Sequence, residues 1–138
     1  MAKASAGYSG TPLAKKLGIK PGFRVYADGD PPNYRELLEP LPNGVAFVEK
    51  LQAKLDMIHL FTTSVKGLNA KLNRCLKKIK RDGAIWVSWP KKASRVPTDI
   101  TEDVIREIAL KTVLVDVKVC AVDEVWSGLK LVIRVSER

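Results

Sequence analysis

The residues best suited to bind a ligand form the loop at positions 90–99, PKKASRVPTD. Its cations and hydroxyl groups belong to Lys91, Lys92, Arg95, Ser94 and Thr98. The loop follows an apolar segment and leads into a helix-like segment, whose first N–H groups have no partner within the helix. Together these groups predict a binding site for a phosphate or a carboxylate. The alternative is a solvated loop in which Thr98 and Asp99 only cap the next helix.

Aromatic and acidic side chains elsewhere in the second half of the chain are candidates to line the same site. Trp89 precedes the loop at the exit of a predicted strand and Trp126 lies at the predicted hairpin, so we predict that the two rings form an apolar wall of the site. Trp86 and Trp89 are three residues apart, which in a regular strand places them on opposite faces. Asp123 and Glu124 are predicted to join Asp99 in a carboxylate cluster facing the loop lysines, either as an acid–base pair or as an ion-pair network that positions the loop.

A second candidate site follows the first predicted strand, at the sequence Asp28-Gly-Asp-Pro-Pro. A phosphate-binding G-x-G-x-x-G loop is expected at this position, but only Gly29 is present and two aspartates would repel a pyrophosphate. Glu49 follows about 20 residues later, where an acid that binds a ribose belongs. Asp28, Gly29 and Glu49 therefore predict an atypical cofactor pocket.

Metal and nucleophile chemistry have little support in the sequence. Cys75 and Cys120 lie far apart in apolar segments and have no metal-ligand spacing, so we expect two reduced thiols and no metal site. The single histidine, His59, lies inside an apolar strand pattern and is predicted to be a hydrogen-bonded core residue. No Ser/His/Asp arrangement is evident.

The net charge of +9 is concentrated in one part of the chain. Positions 66–95 hold ten of the 24 Lys and Arg residues and one of the 15 Asp and Glu residues, so the remainder balances. Lys77–Arg81 and Lys91–Arg95 flank a predicted strand of six residues, about 20 Å long. We therefore expect two basic groups on opposite rims, and aromatic residues of the kind that bind single strands do not interleave with them.

Hydrophobic periodicity predicts the elements that position these groups. Strands are predicted at 23–27, 45–48, 55–61, 84–89, 113–125 and 129–135. Helices are predicted at 11–18, at 33–41, from Ser64 to the turn at Asp82-Gly83, and from Asp99 or Thr101 onward. Ser127-Gly128 is predicted to be the turn of a terminal hairpin. The order indicates a three-layer, Rossmann-like α/β fold with a mostly parallel sheet of about six strands and an antiparallel C-terminal hairpin.

The 138 residues are enough for one domain, predicted at 11–138 after a flexible leader at 1–10. The apolar runs are too short to cross a membrane, and the first residues do not have the pattern of a signal peptide. We therefore expect a cytoplasmic protein.

Several segments are similar to an uncharacterised bacterial family catalogued as domain of unknown function 3052. They are GYSGTPLAKKLGIKPG at 7–22, and then WVSWPKK, TDIT and VCAVDEVWSGLKLV. This resemblance covers nearly the whole chain and implies a small cytosolic bacterial protein. The second half also resembles the end of a class I methyltransferase fold, in which a helix, a glycine turn and an apolar strand ending in proline precede another helix and a hairpin. The glycine loop that would bind the methyl donor is missing here.

Three hypotheses follow. The first is a non-catalytic or degenerate Rossmann-like domain that binds an anionic small molecule at the 90–99 loop without a cofactor. The second is a small methyltransferase-like transferase whose donor pocket includes Asp28, Gly29 and Glu49. The third is a nucleic-acid or protein interaction module that uses the basic 66–95 region, in which case its affinity should fall with salt.

Overall fold

A mixed six-stranded sheet runs through the computed structural model, which describes residues 10–138. Its strands are β1 (Arg24–Asp28), β2 (Ala46–Phe47), β3 (Leu55–Phe61), β4 (Ile79–Pro90), β5 (Leu114–Ala121) and β6 (Trp126–Ile133). The helices are α1 (Leu13–Leu17), α2 (Tyr34–Leu38), α3 (Val65–Leu76) and α4 (Glu102–Leu110). Short 3₁₀ helices occupy Lys92–Ser94 and Val135–Glu137. The predicted leader lies mostly outside the described residues.

The strand order is β2-β1-β3-β4-β6-β5. The first four strands of this order are parallel to one another, whereas β6 is antiparallel to both of its neighbours. This confirms the predicted Rossmann-like sheet of six strands with a C-terminal antiparallel hairpin. The outer strand of that hairpin is β5, and β6 lies between β5 and β4.

Alternation along β3 shows how the two layers of helices are built. His59 and Phe61 point to one face, where they meet α1 and α2, and Ile58 and Leu60 point to the other, where they meet α3 and α4. We call these the α1/α2 face and the α3/α4 face. Because β3 is buried on both faces, its sequence is almost continuously apolar rather than alternating.

The end of α3 differs from the prediction. The helix stops at Leu76, and β4 already begins at Ile79, which pairs with Leu55. Gly83 is therefore a buried strand residue and not part of a turn. A Cβ at Gly83 would lie 2.9 Å from the carbonyl oxygen of Asp56, so glycine permits the close approach of β3 to β4.

The hairpin turn also differs from the prediction. Ser127 and Gly128 lie within β6, and the connection runs through residues 122–125. The Asp123 carboxylate closes this turn by accepting hydrogen bonds from the N–H groups of Val125 and Trp126, at 2.8 and 2.7 Å. Gly128 instead leaves room for the ring of Trp86, which would lie 3.1 Å from a Cβ at that position.

The two margins of the sheet are unequal. At one margin β2 contributes only two residues. At the other, β5 has an irregularity between Asp116 and Lys118, and Val117 and Val119 are 53% and 45% exposed. In residues 10–138 no helix has the length and apolar character needed to cross a membrane.

Candidate functional site at the carboxyl edge of the sheet

The parallel strands β1, β3 and β4 end on one edge of the sheet, at Asp28, Phe61 and Pro90. In sheets of this kind ligands bind beyond these ends, where the strands lead into loops. Both pockets predicted from the sequence, at 90–99 and around Asp28, belong to this edge. The hydrogen bonds of each loop show which groups remain available to a ligand.

The hydroxyl of Ser94 is used within its own loop. Its Oγ donates to the carbonyl oxygen of Lys91 at 2.7 Å and accepts from the N–H of Val96 at 3.2 Å. Lys91 and Ser94 are partly buried, whereas Lys92 and Arg95 are exposed. Ser94 therefore shapes the 3₁₀ helix, and Lys92 and Arg95 are the loop cations that reach solvent most freely.

Thr98 and Asp99 fasten the loop to the residues that follow β3. The Thr98 hydroxyl donates to the carbonyl oxygen of Thr63 at 2.7 Å. The Asp99 carboxylate accepts a hydrogen bond from the N–H of Val65, the first residue of α3, at 2.8 Å. Asp99 thus caps α3 from 34 positions away, and Thr101 caps α4, so the predicted choice between Asp99 and Thr101 resolves to Thr101.

Lys91 and Asp123 are brought together, but through the backbone. The Lys91 ammonium donates to the carbonyl oxygen of Asp123 at 2.6 Å, and the Lys91 N–H donates to the carbonyl oxygen of Val125 at 2.7 Å. Since the Asp123 carboxylate closes the hairpin turn, the contact ties the 90–99 loop to that turn. The anion-binding role of the loop stays a prediction.

The sheet separates the two tryptophans that were predicted to form one wall. Trp89 packs in the core of the α3/α4 face. Trp126 pairs with Pro90 in the register and packs on the α1/α2 face, with its ring 5.1 Å from that of Phe61 in an edge-to-face arrangement. They do not share a wall because a strand alternates its side chains between faces. The same alternation confirms that Trp86 and Trp89 face opposite ways.

The loop after β1 passes directly against the end of β3. Gly29 has φ +73°, and a Cβ there would lie 2.5 Å from the carbonyl oxygen of Phe61. Only glycine fits this position without a shift of the backbone. Asp28 is half-buried and forms an ion pair with Lys71 of α3 at 3.1 Å. Glu49, two residues beyond β2, is exposed to solvent.

Three buried polar side chains form a row of hydrogen bonds beneath this edge, and the sequence predicted only the histidine among them. The Tyr34 hydroxyl and His59 Nδ1 are 2.8 Å apart, and His59 Nε2 and the Ser88 hydroxyl are 2.7 Å apart. All three residues are almost fully buried. Burial lowers the pKa of His59 to about 3 and raises the pKa of Tyr34 above its ordinary range. The structure confirms a hydrogen-bonded core histidine, but Tyr34 and Ser88 had no signal beyond their place among apolar residues.

The two cysteines lie on opposite faces of the sheet. Cys75 packs in the core of the α3/α4 face and Cys120 borders that of the α1/α2 face. Burial raises the pKa of Cys75 to about 11, which keeps the thiol protonated at neutral pH. Within residues 10–138, no three His, Cys, Asp or Glu side chains are grouped so that they could hold a metal ion.

The basic 66–95 region is divided as the sequence predicts. Lys80 and Arg81 lie near the start of β4, and the Lys91–Arg95 group lies beyond its far end. Lys80 forms an ion pair with Asp56 at 2.8 Å. The cations of this region therefore lie at both ends of β4 and along α3.

The fold is similar to that of several solved SAM-dependent methyltransferases. No protein-family model matches the chain, and no curated protein matches it. The chain is similar to a SAM-dependent methyltransferase from Aquifex aeolicus, with a TM-score of 0.60 and 16% identity over 88% of this chain and 87% of that one. Magnesium protoporphyrin IX methyltransferase from Synechocystis, solved with bound SAM, gives a TM-score of 0.55 and 13% identity over 88% of this chain and 74% of that one.

The ribosomal protein L11 methylase from Lactobacillus delbrueckii subsp. bulgaricus gives a TM-score of 0.53 and 11% identity over 88% and 74% of the two chains. At these identities the likeness shows the fold alone. It agrees with the resemblance of the second half to a methyltransferase and extends it across the sheet. The resemblance to domain of unknown function 3052 stays a prediction.

Proposed function

We propose that this chain is a small methyltransferase-like protein that binds S-adenosylmethionine at the carboxyl edge of β1, β2 and β3. The observation that carries this proposal is the six-stranded topology, which matches a SAM-dependent methyltransferase over 88% of this chain and 87% of that one. The pocket predicted from Asp28, Gly29 and Glu49 lies at that edge, and it replaces the 90–99 loop as the favoured site.

The chemistry of the β1 loop favours a cationic ligand over a pyrophosphate. Pro31 and Pro32 have no N–H to donate to phosphate oxygens. Asp28 and Asp30 give the loop two carboxylates, of which Asp28 is paired with Lys71 and Asp30 is exposed, so the field around Asp30 is negative. S-adenosylmethionine carries a sulfonium and an ammonium group, and both are attracted to such a field.

Glu49 supplies the second contact in this proposal. It follows β2, the strand next to β1, and in this proposal it borders the donor pocket from that side. An exposed carboxylate there can accept hydrogen bonds from the two hydroxyls of a ribose. The backbone at Gly29 passes so close to the Phe61 carbonyl that no side chain fits between the β1 loop and the end of β3.

Methyl transfer from a sulfonium is an in-line displacement that depends on orientation. A protein contributes mainly by holding the donor carbon in line with its acceptor, which avoids much of the entropy cost of the encounter. In this proposal the β1 and β2 loops orient the donor, and the loop after β3 borders the side from which an acceptor would approach.

Calorimetry with S-adenosylmethionine and S-adenosylhomocysteine tests the proposal. We expect binding by the unaltered chain and at least about tenfold weaker binding by Glu49→Gln, the effect of losing a charged hydrogen-bond acceptor. Glu107→Gln is the matched control, because Glu107 is also exposed but lies on α4. Absence of heat at millimolar ligand, or equal loss in both variants, would overturn the proposal.

A further inference from the structure

Four lysines from distant parts of the chain lie on the α1/α2 face, on the side of the sheet formed by β5 and β6. They are Lys16, Lys20, Lys118 and Lys130. Two flank the end of α1, and two lie in the C-terminal hairpin. All four fall outside the 66–95 region, in the part of the sequence where acidic and basic residues balance. Charge counting along the chain therefore misses this cluster, which only the fold creates.

Two of these lysines oppose each other directly. Lys118 of β5 and Lys130 of β6 are partners in the antiparallel register, and like charges in this position destabilise a sheet. On its other side Lys130 is paired with Trp86 of β4, whose indole N–H donates to the carbonyl oxygen of Leu17 in α1 at 3.0 Å. Lys130 is thus enclosed between another lysine and a large buried ring.

Lys130 is partly withdrawn from solvent in this position. Its ammonium lies beside the end of α1, 3.5 Å from where a Cβ on Gly18 would be. Burial, and then the positive charges of Lys118 and Lys20, lower the pKa of Lys130. None of the ion pairs formed within residues 10–138 includes one of the four lysines.

Lys16 completes the arrangement from the side of α1. Its ammonium donates to the carbonyl oxygen of Ala121, at the end of β5, at 3.1 Å. This contact holds α1 against the hairpin and adds a further positive charge near the end of β5. Burial raises the pKa of the Cys120 thiol, and the charges of Lys16 and Lys118 act in the opposite direction. The chain therefore concentrates cations here at a cost to its own stability.

We propose that Lys20, Lys118 and Lys130 form a binding site for a phosphate-bearing polyanion. A phosphate group carries up to two negative charges and several acceptor oxygens, so one group can contact several ammonium point charges at once, and lysine is a common phosphate ligand of this kind. A bound phosphate would turn the repulsion between Lys118 and Lys130 into a shared attraction. This site is separate from the proposed donor pocket.

The proposed site predicts that Lys118→Gln changes thermal stability in opposite directions with and without the anion. Lys118 is exposed, so Lys118→Gln should leave the fold intact. Without an anion the variant should melt at a higher temperature than the unaltered chain, because the repulsion on Lys130 is removed. When the anion is added, the melting temperature of the variant should rise less than that of the unaltered chain. A lysine with only a solubilising role would produce neither change.

Inorganic tripolyphosphate and a twelve-nucleotide oligothymidylate, each at low salt, distinguish the two sources of phosphate. We expect tripolyphosphate to raise the melting temperature, and its affinity to fall about fivefold in Lys118→Gln and in Lys130→Gln. Lys66→Gln, an exposed lysine on α3, is the matched control and should bind as the unaltered chain does. If the oligonucleotide displaces tripolyphosphate, and Lys118→Gln and Lys130→Gln weaken its binding as well, the source of the phosphate is a nucleic-acid strand. If the oligonucleotide does not compete, the source is a free polyphosphate.

Two results would overturn the site. One is that tripolyphosphate at millimolar concentration does not shift the melting temperature of the unaltered chain. The other is that Lys118→Gln and Lys66→Gln weaken binding equally, which would show a general effect of net charge. An NMR titration of the Lys130 side chain gives a second readout, because the bound anion should raise its depressed pKa.

Discussion

His59 is the residue whose environment departs most from that of its ordinary chemistry. Its ring is fully buried, contacts two hydroxyls, and has a pKa lowered to about 3 by burial. In the unfolded chain the ring binds a proton near pH 6.5. The unfolded state therefore holds more protons between about pH 6.5 and 3, so folding stability is complete above this window and is lost as the pH falls through it.

We predict that this one residue lowers the unfolding free energy by up to about 1.4 kcal/mol for each pH unit below 6.5. Urea unfolding between pH 7 and 4 measures the slope. Because the chain has a single histidine, an NMR titration of the ring assigns the effect without ambiguity. A ring that titrates near pH 6.5 in the folded protein would contradict the prediction and the buried position of His59.

At the scale of an element, the β1 loop depends on a glycine that serves packing. Gly29 and Gly22 both have positive φ, +73° and +79°, but only Gly29 meets a neighbouring backbone. Gly22→Ala should cost about 1–2 kcal/mol, the conformational penalty alone. Gly29→Ala should cost about 1–3 kcal/mol more, because the Phe61 carbonyl must move as well. Chemical denaturation of both variants measures the difference in unfolding free energy. Equal losses would show that the β1 loop can move away from the Phe61 carbonyl at little cost.

The order of the elements could be predicted from the sequence because each one carries its own periodicity. The end of α3 could not be predicted in this way, because residues 77–83 contain no local signal that stops a helix before Gly83. The pairing of Ile79 with Leu55 decides that boundary, and it joins residues 24 positions apart. The turn predicted at Ser127-Gly128 is wrong for a similar reason. Glycine is needed at position 128 to make room for the ring of Trp86, and not to form a turn.

The candidate sites show the same division between local and distant causes. The loop at 90–99 has the composition of an anion site, and its neighbours in sequence suggest a pocket. Asp99 instead caps a helix that begins 34 positions earlier, and Trp89 is turned to the other face. The lysine cluster of the α1/α2 face was missed altogether, because its members are more than 100 positions apart in their widest pairs.

For the whole molecule, the net charge of +9 on 138 residues sets the response to salt. We predict that raising sodium chloride from about 20 to 200 mM at pH 7 stabilises the fold by up to about 1 kcal/mol, because the screening length shortens to roughly that of neighbouring surface charges. Thermal unfolding at several salt concentrations measures this. A melting temperature that falls with salt would mean that the ion pairs of Lys71, Lys80 and Arg106 outweigh the repulsion.

The unequal margins of the sheet also limit how the molecule can meet copies of itself. An exposed outer strand is a template for aggregation, and proteins protect such strands by keeping them short, bulged or charged. Here β2 offers two residues, and β5 interrupts its ladder between Asp116 and Lys118 while presenting an ammonium. Even with two exposed valines, neither margin gives an incoming strand a straight run of backbone to extend, so crowded copies should stay separate and not grow into fibrils.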